Sequence, residues 1–327
     1  MICEFSLTPQ IFDPTAHPDK TTWMSQVTHL VGDMFPRTGH QPICISDLYG
    51  GSWKPAAAAI AGACDEAVRG DVKKLFTRVA DLCVPRDVEG EWPDSEDDWA
   101  REALTSAQNA FPISRIWASA ACYDRLASNE YTSVADVSRD DCWNDVRPSR
   151  RVGMSIPDQL AALRPVLFHS TWIAFVSPYI HGSSSGDEMS LALEFLSAAR
   201  AFQKNRAQPT PILLDIHTSL PPNPQNVIAN IDPRLPVRDP TFQIRLFFWN
   251  FDMLDRYIIA GDVDNGGANF KQQRVRWIVT ASHVARDQVN VRGNRDTPWQ
   301  LLPRFEITRV FNDYYGTPPA ISVARLR

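Results

Sequence analysis

The chain has no Cys-x-x-Cys pair and no tight cluster of cysteine with histidine. It also has no apolar run near the roughly 20 residues of a membrane helix. Each absence removes a class of protein. Its six cysteines, Cys3, Cys44, Cys64, Cys83, Cys122 and Cys142, are too widely spaced for a zinc site or a disulfide framework. Buried free thiols are expected, with no metal and no cofactor. Without a long apolar run no membrane partner is expected. The opening MICEFSLTPQIF lacks the basic start and long apolar stretch of a signal peptide, so the expectation is a cytoplasmic protein. Lysine is scarce in one half: beyond Arg150 only Lys204 and Lys271 interrupt a basic set made otherwise of arginine.

With 327 residues, 44% apolar and 22% charged, the chain is long enough for two domains with cores of their own. Charge divides it. Up to Arg150 there are 14 Lys+Arg against 23 Asp+Glu, while the remainder carries 19 against 15. An acidic front half would repel a polyanion and suits a protein partner. The arginine-rich back half suits phosphate or carboxylate, which the planar guanidinium fork fits, although genomic base composition accounts for the arginine equally well.

Pattern changes where charge does. After a strand expected at 4–12, the front reads as helices over 23–35 and, as one long element, over 55–82. There Ile60, Cys64, Val68, Val72, Leu75, Phe76, Val79 and Leu82 recur at spacings of three and four. Ser95 and Asp98 resemble a capping pair for a further helix, and another is expected over 113–126. Residues 144–158 have the Pro/Gly/Arg content of a linker. This gives a mainly helical domain over 1–150 and an α/β domain, a mixed sheet with flanking helices, over 151–327. In the second, WIAFVSPYI and PILLDIHTS read as buried strands joined by the helix LALEFLSAARAF, a connection that requires a parallel pair. FQIRLFFWNF, DRYIIAG and RVRWIVTAS read as further strands. A helix is expected to include Trp299 to Leu302, with EITRVF closing the sheet.

The succession WIAFVSPYI, LALEFLSAARAF, PILLDIHTS and LDRYIIAGDVDNGGANF resembles one lobe of the phospholipase D-like superfamily. There an S-P-Y strand end, a helix, a second strand and a His-x-Lys motif follow in that order. The resemblance is one of pattern and covers about residues 155–310. Some divergent members resemble His-x-Arg-Phe/Tyr followed by an acid and paired glycines. Read onto this chain, Leu254 stands in the histidine place, Arg256 in the basic one and Tyr257 in the aromatic one. Asp262 or Asp264 is the acid, and Gly266 and Gly267 form the turn. The family attacks phosphorus with one histidine and protonates the leaving group with another, because imidazole does both near neutral pH. Leucine does neither, and the chain holds no His-x-Lys at all.

The resemblance therefore implies the remains of a site. Arg256, Tyr257 and the Gly266-Gly267 amides would keep contacts to phosphate. Lys271, Arg274 and Arg276 follow in the sequence, with Arg274 and Arg276 on one strand face, which is equally a track for a nucleic-acid backbone and a solvated strand face. Such lobes resemble accessory parts of multi-protein bacterial systems acting on DNA, antiviral ones included. Two other readings stand beside this one. Asn265-Gly266 is a strong hairpin-turn signal, so the stretch is equally a plain β-hairpin. Alternatively a histidine from elsewhere serves a phosphodiesterase or nuclease, with His217, Arg256 and Asp262 as the catalytic set. Asp215 and His217 share a strand face, and His169, His181 and His283 lie in the same half, but no third metal ligand is spaced around them. Gly50-Gly51-Ser52-Trp53-Lys54 lacks the spacing of a phosphate-binding loop.

Overall fold

The computed structural model describes residues 2–35, 39–86, 88, 91–109, 112–180, 187–204, 212–231, 242–253, 255–263, 273–281 and 296–324. The protein is α/β and divides into two compact units, Ile2–Arg147 and Pro148–Arg327.

The first unit holds β1 (Cys3–Leu7), α1 (Lys20–Met34), β2 (Ile43–Asp47), α2 (Leu48–Gly51), α3 (Trp53–Ala63), α4 (Glu66–Ala80), β3 (Cys83–Arg86), α5 (Glu96–Asn109), β4 (Arg115–Ala118), α6 (Ala120–Leu126) and β5 (Thr132–Ser133). Its strands form one sheet in the order β3-β2-β1-β4-β5, parallel throughout. The front domain expected to be mainly helical is rich in helix, and its helices flank a five-stranded parallel sheet of which only the first strand was expected. The missed strands β2, β3 and β4 are four or five residues long and largely buried, and β5 has only two residues, so none carries an alternation of polar and apolar residues to reveal it. The expected helix over 113–126 is a strand followed by a short helix. The long helix over 55–82 is two, parted at Cys64, whose backbone is extended at φ −58° and ψ 153°. Both bury residues in one core cluster, including Ala57, Ala61, Val72, Leu75 and Val79, which is why their apolar stripes read as one. The Ser95 cap is present: its Oγ accepts from Asp98 N at 3.2 Å and donates to Asp98 Oδ2 at 2.6 Å.

The second unit begins within the expected linker, which instead supplies β6 (Ser149–Gly153) and the start of α7 (Ile156–His169). There follow β7 (Trp172–Val176), α8 (Asp187–Lys204), β8 (Ile212–Ser219), α9 (Pro224–Ile231), β9 (Phe242–Trp249), β10 (Tyr257–Val263), β11 (Gln273–Ala281), β12 (Asp296–Leu301), α10 (Arg304–Phe311), a π-helical turn at Asn312–Gly316 and β13 (Ile321–Ala324). The eight strands run β13-β9-β8-β7-β10-β11-β12-β6. β7, β8 and β9 are parallel neighbours and the other pairings are antiparallel. The last two expectations are exchanged: residues 299–301 end a strand whose burial alternates strictly, and EITRVF lies in α10.

β10 and β11 pair from Tyr257↔Thr280 to Val263↔Gln273, with a bulge between Ala260 and Gly261. The bulge brings the strands so close that a Cβ on Gly261 would lie 2.0 Å from the Arg274 carbonyl oxygen and 3.1 Å from Arg276 N. Because backbone cannot swing aside as a side chain can, Gly261→Ala is expected to cost about 1–3 kcal/mol. Chemical denaturation measures this, and an unchanged midpoint would mean that the strands part there freely.

Candidate functional site

Asp215 and His217 lie on β8 between parallel neighbours. Asp215 faces Arg245 across β9 in register, and His217 faces Phe247. A lone acid and a lone base opposite one another in two apolar strands must find each other, because an unpaired buried charge is far costlier than a paired one. Arg245 donates from Nε to Asp215 Oδ1 at 2.6 Å and from Nη2 to Oδ2 at 2.7 Å. The same carboxylate accepts from Trp172 Nε1 on β7 at 2.9 Å and from the Tyr315 hydroxyl of the π turn at 2.8 Å.

His217 is enclosed with them. Its Nδ1 lies 3.0 Å from Trp249 Nε1 and its Nε2 2.9 Å from the Tyr315 oxygen. An indole N–H only donates, so Nδ1 carries the lone pair and the proton of the neutral ring sits on Nε2, donating to Tyr315. Tyr315 in turn passes its proton toward Asp215. Phe247 and Trp249 stack on the imidazole at 4.6 and 5.8 Å. Burial drives the ring far below its ordinary 6.5, to about 3, against the pull of Asp215 and with the push of Arg245. Burial likewise raises the Tyr315 hydroxyl well above its usual range. Asp215 and His217 have no exposed surface. With one nitrogen covered by an indole and the other protonated, His217 in this arrangement has no lone pair for phosphorus and none for a substrate proton.

Arg256 precedes β10 at the level of the C-terminal end of β7, since Tyr257 pairs with Val176. Its Nε donates to Glu188 Oε1 at 3.0 Å, and its guanidinium lies 4.8 Å from the centre of the Tyr179 ring. Glu188, in the first turn of α8, also accepts from the hydroxyl of Ser177, the first residue of the Ser-Pro-Tyr strand end. Tyr257 turns inward to the core, its hydroxyl donating to Asp255 Oδ2 at 2.8 Å. Asp262 accepts from Arg276 Nε at 2.6 Å, and Arg274 is exposed opposite Asp262.

These arginines do not form one cluster. Arg256 and Asp262 stand at opposite ends of β10, six residues and about 20 Å apart, so Arg274 and Arg276 belong to the far end. Leu254, Asp264, Gly266, Gly267, Lys271, His181 and His283 lie outside the described residues. β10 and β11, which precede and follow residues 264–272 in the sequence, are antiparallel neighbours.

In the first unit, the order β3-β2-β1-β4-β5 places a topological switch point between β1 and β4, where open α/β sheets take ligands. Here the chain fills it. Glu96 accepts from Thr8 Oγ1 at 2.5 Å, Ser119 N at 3.0 Å and Ser119 Oγ at 2.7 Å, which ties together the residues that end β1 and β4. At the end of β2, Asp47 Oδ1 accepts from the Trp53 amide at 3.0 Å at the start of α3, so an acidic side chain already stands near the Gly50-Gly51 stretch. Among the described residues no helix is long and apolar enough to cross a membrane.

No protein-family profile matches the chain, and no curated protein does. Among solved structures, one of TrmBL2, an archaeal chromatin protein described as showing a novel mode of DNA binding, aligns over 77% of this chain and 71% of its own, with 12% identity and a TM-score of 0.25. A likeness at that score carries no argument about fold or function.

The depressed His217 value has a sign. Between about pH 6.5 and 3 the unfolded chain takes up a proton that the folded ring refuses. This contribution to stability is therefore complete above pH 6.5 and lost as the pH falls through that window. His217→Gln keeps an N–H for Tyr315 and cannot titrate. It is expected to flatten the pH dependence of stability between about pH 6 and 4, by up to about 1.4 kcal/mol per pH unit. Denaturant titrations of both proteins across that range measure it, and equal slopes would mean that the ring is not held neutral.

Proposed function

We propose that the second unit is a degenerate phospholipase D-like lobe that binds phosphate-bearing polymers, nucleic acid foremost, without cleaving them, and so serves as a binding or scaffolding subunit. The observation that carries this reading is the closure around His217: the Asp-x-His pair best placed to replace the missing nucleophile has its hydrogen-bonding capacity consumed inside the fold. The phosphate half rests on Arg256. It stands at the C-terminal ends of the parallel strands, where α/β sheets present their ligand-binding loops, with the exposed ring of Tyr179 against its guanidinium. Glu188 holds that guanidinium now, so a phosphate would share or displace the carboxylate. Arg274 and Arg276 form a second contact region at the other end of β10. A setting in a DNA-directed or antiviral complex, with a protein partner on the acidic first unit, is what the family resemblance and the charge division imply.

The test compares variants that push the same guanidinium in opposite directions. DNA binding followed by fluorescence anisotropy is expected to weaken steeply between about 50 and 200 mM salt. Arg256→Ala should weaken it and lower the salt slope by about one unit. Glu188→Gln, which frees Arg256 while preserving shape, should tighten it. No phosphodiester hydrolysis is expected from any of the three. Affinity indifferent to both substitutions would make Arg256 a structural partner of Glu188, and hydrolysis abolished by His217→Gln would return the protein to the nucleases.

A further inference from the structure

From β12 to β13 the chain must pass from one side of the eight-stranded sheet to the opposite edge, skipping β11, β10, β7, β8 and β9. At about 4.8 Å per strand this is a crossing of about 29 Å. α10 and the π turn make it along the face that carries Trp172, Phe247, Trp249, Tyr257 and Ile259, with Val310 and Tyr314 in the same core cluster. At its end, β13 is a four-residue edge strand paired to β9 from Ile321↔Phe248 to Ala324↔Arg245, and Ile321 is 38% exposed. So short and exposed a pairing buries little. Its position depends on what anchors the strap behind it.

That anchor is visible. The backbone at Asn312–Gly316 is wound as a π helix, a rare and poorly packed conformation that persists where something else over-determines it. The widened turn lets two adjacent residues serve one face. Tyr314 packs against Trp249 and Tyr257, and Tyr315 inserts its hydroxyl between His217 Nε2 and Asp215 Oδ2 while its ring meets Trp172 at 5.2 Å. We propose that residues 303–324 form a latched strap, that the Tyr315 hydroxyl is the latch and the Asp215–His217 pair its receptor, and that the latch holds β13 on the edge of β9. A released strap would uncover both the aromatic face and the free edge of β9, the kind of edge that accepts an added strand. This inference is independent of whether the unit binds phosphate.

Amide hydrogen exchange tests it by comparing wild type with Tyr315→Phe and, as a control, Tyr314→Phe, which removes a neighbouring hydroxyl from the same turn. In Tyr315→Phe the amides of residues 304–324 should exchange about tenfold faster or more, as expected when a buried hydrogen bond is lost and its partners are orphaned. Those of β7 and β10 should hold their wild-type rates, and Tyr314→Phe should not show the selective change. Equal acceleration throughout the unit, or none in 304–324, would overturn the latch. Should Tyr315→Phe fail to fold, native-state exchange of the wild type under rising denaturant decides. A latched strap opens as a separate unit before the central strands, and exchange of all these elements in one step would refute it.

Discussion

The carboxylate of Asp215 is the point on which the second unit depends. It is fully buried and receives four hydrogen bonds from three elements: β9 through Arg245, β7 through Trp172 and the π turn through Tyr315. A buried ion pair is weak evidence for stability as such, since desolvation offsets much of the Coulombic attraction. What it supplies here is alignment. With Asp215 opposite Arg245, any slip of β8 against β9 would strand both charges among apolar neighbours. The parallel core of the sheet is thereby fixed in a single register, and the C-terminal segment is fixed to it.

The first unit uses the same kind of device with different residues. Glu4 on β1 accepts from Arg86 Nη1 at 2.9 Å although β2 lies between their strands, and Ser46 of β2 donates to the same oxygen at 2.6 Å. Arg86 also donates to the hydroxyl and carbonyl of Ser106 on α5. One buried carboxylate thus ties together three strands and a helix. In both units a buried acid is a joint of the frame, with donors supplied by residues far away in the chain.

Legibility followed the apolarity of each run and the turn signals around it. β7, β8, β9, β10, β11 and α8 were readable because each is a long apolar run or stripe between clear turn signals. β2 and β3 were not, because ICISD and CVPR are too short for any period, carry polar or proline residues, and are largely buried. The alternation of β12 was hidden by Pro298 and by reading Trp299 as the start of a helix. Asp215 and His217 were visible as a pair from their two-residue spacing, but Arg245, Tyr315, Trp172 and Trp249 reach them only through tertiary structure. One signal could have found Arg245: a lone cation in FQIRLFFW beside a lone anion in ILLDIHTS demands pairing once the strands are known to be neighbours. Nothing local pointed from Arg256 to Glu188, 68 positions earlier.

All six cysteines lie in the first unit, every one is buried, and none is in a disulfide. Burial pushes the thiols of Cys64, Cys122 and Cys142 upward, with neighbouring acids adding to the effect, so little thiolate is available while the unit is closed. The second unit contains no cysteine at all. The chain therefore carries a built-in chemical clock for one half only: alkylation by a thiol reagent would time the breathing of the parallel sheet and stay silent about whatever the other half was doing.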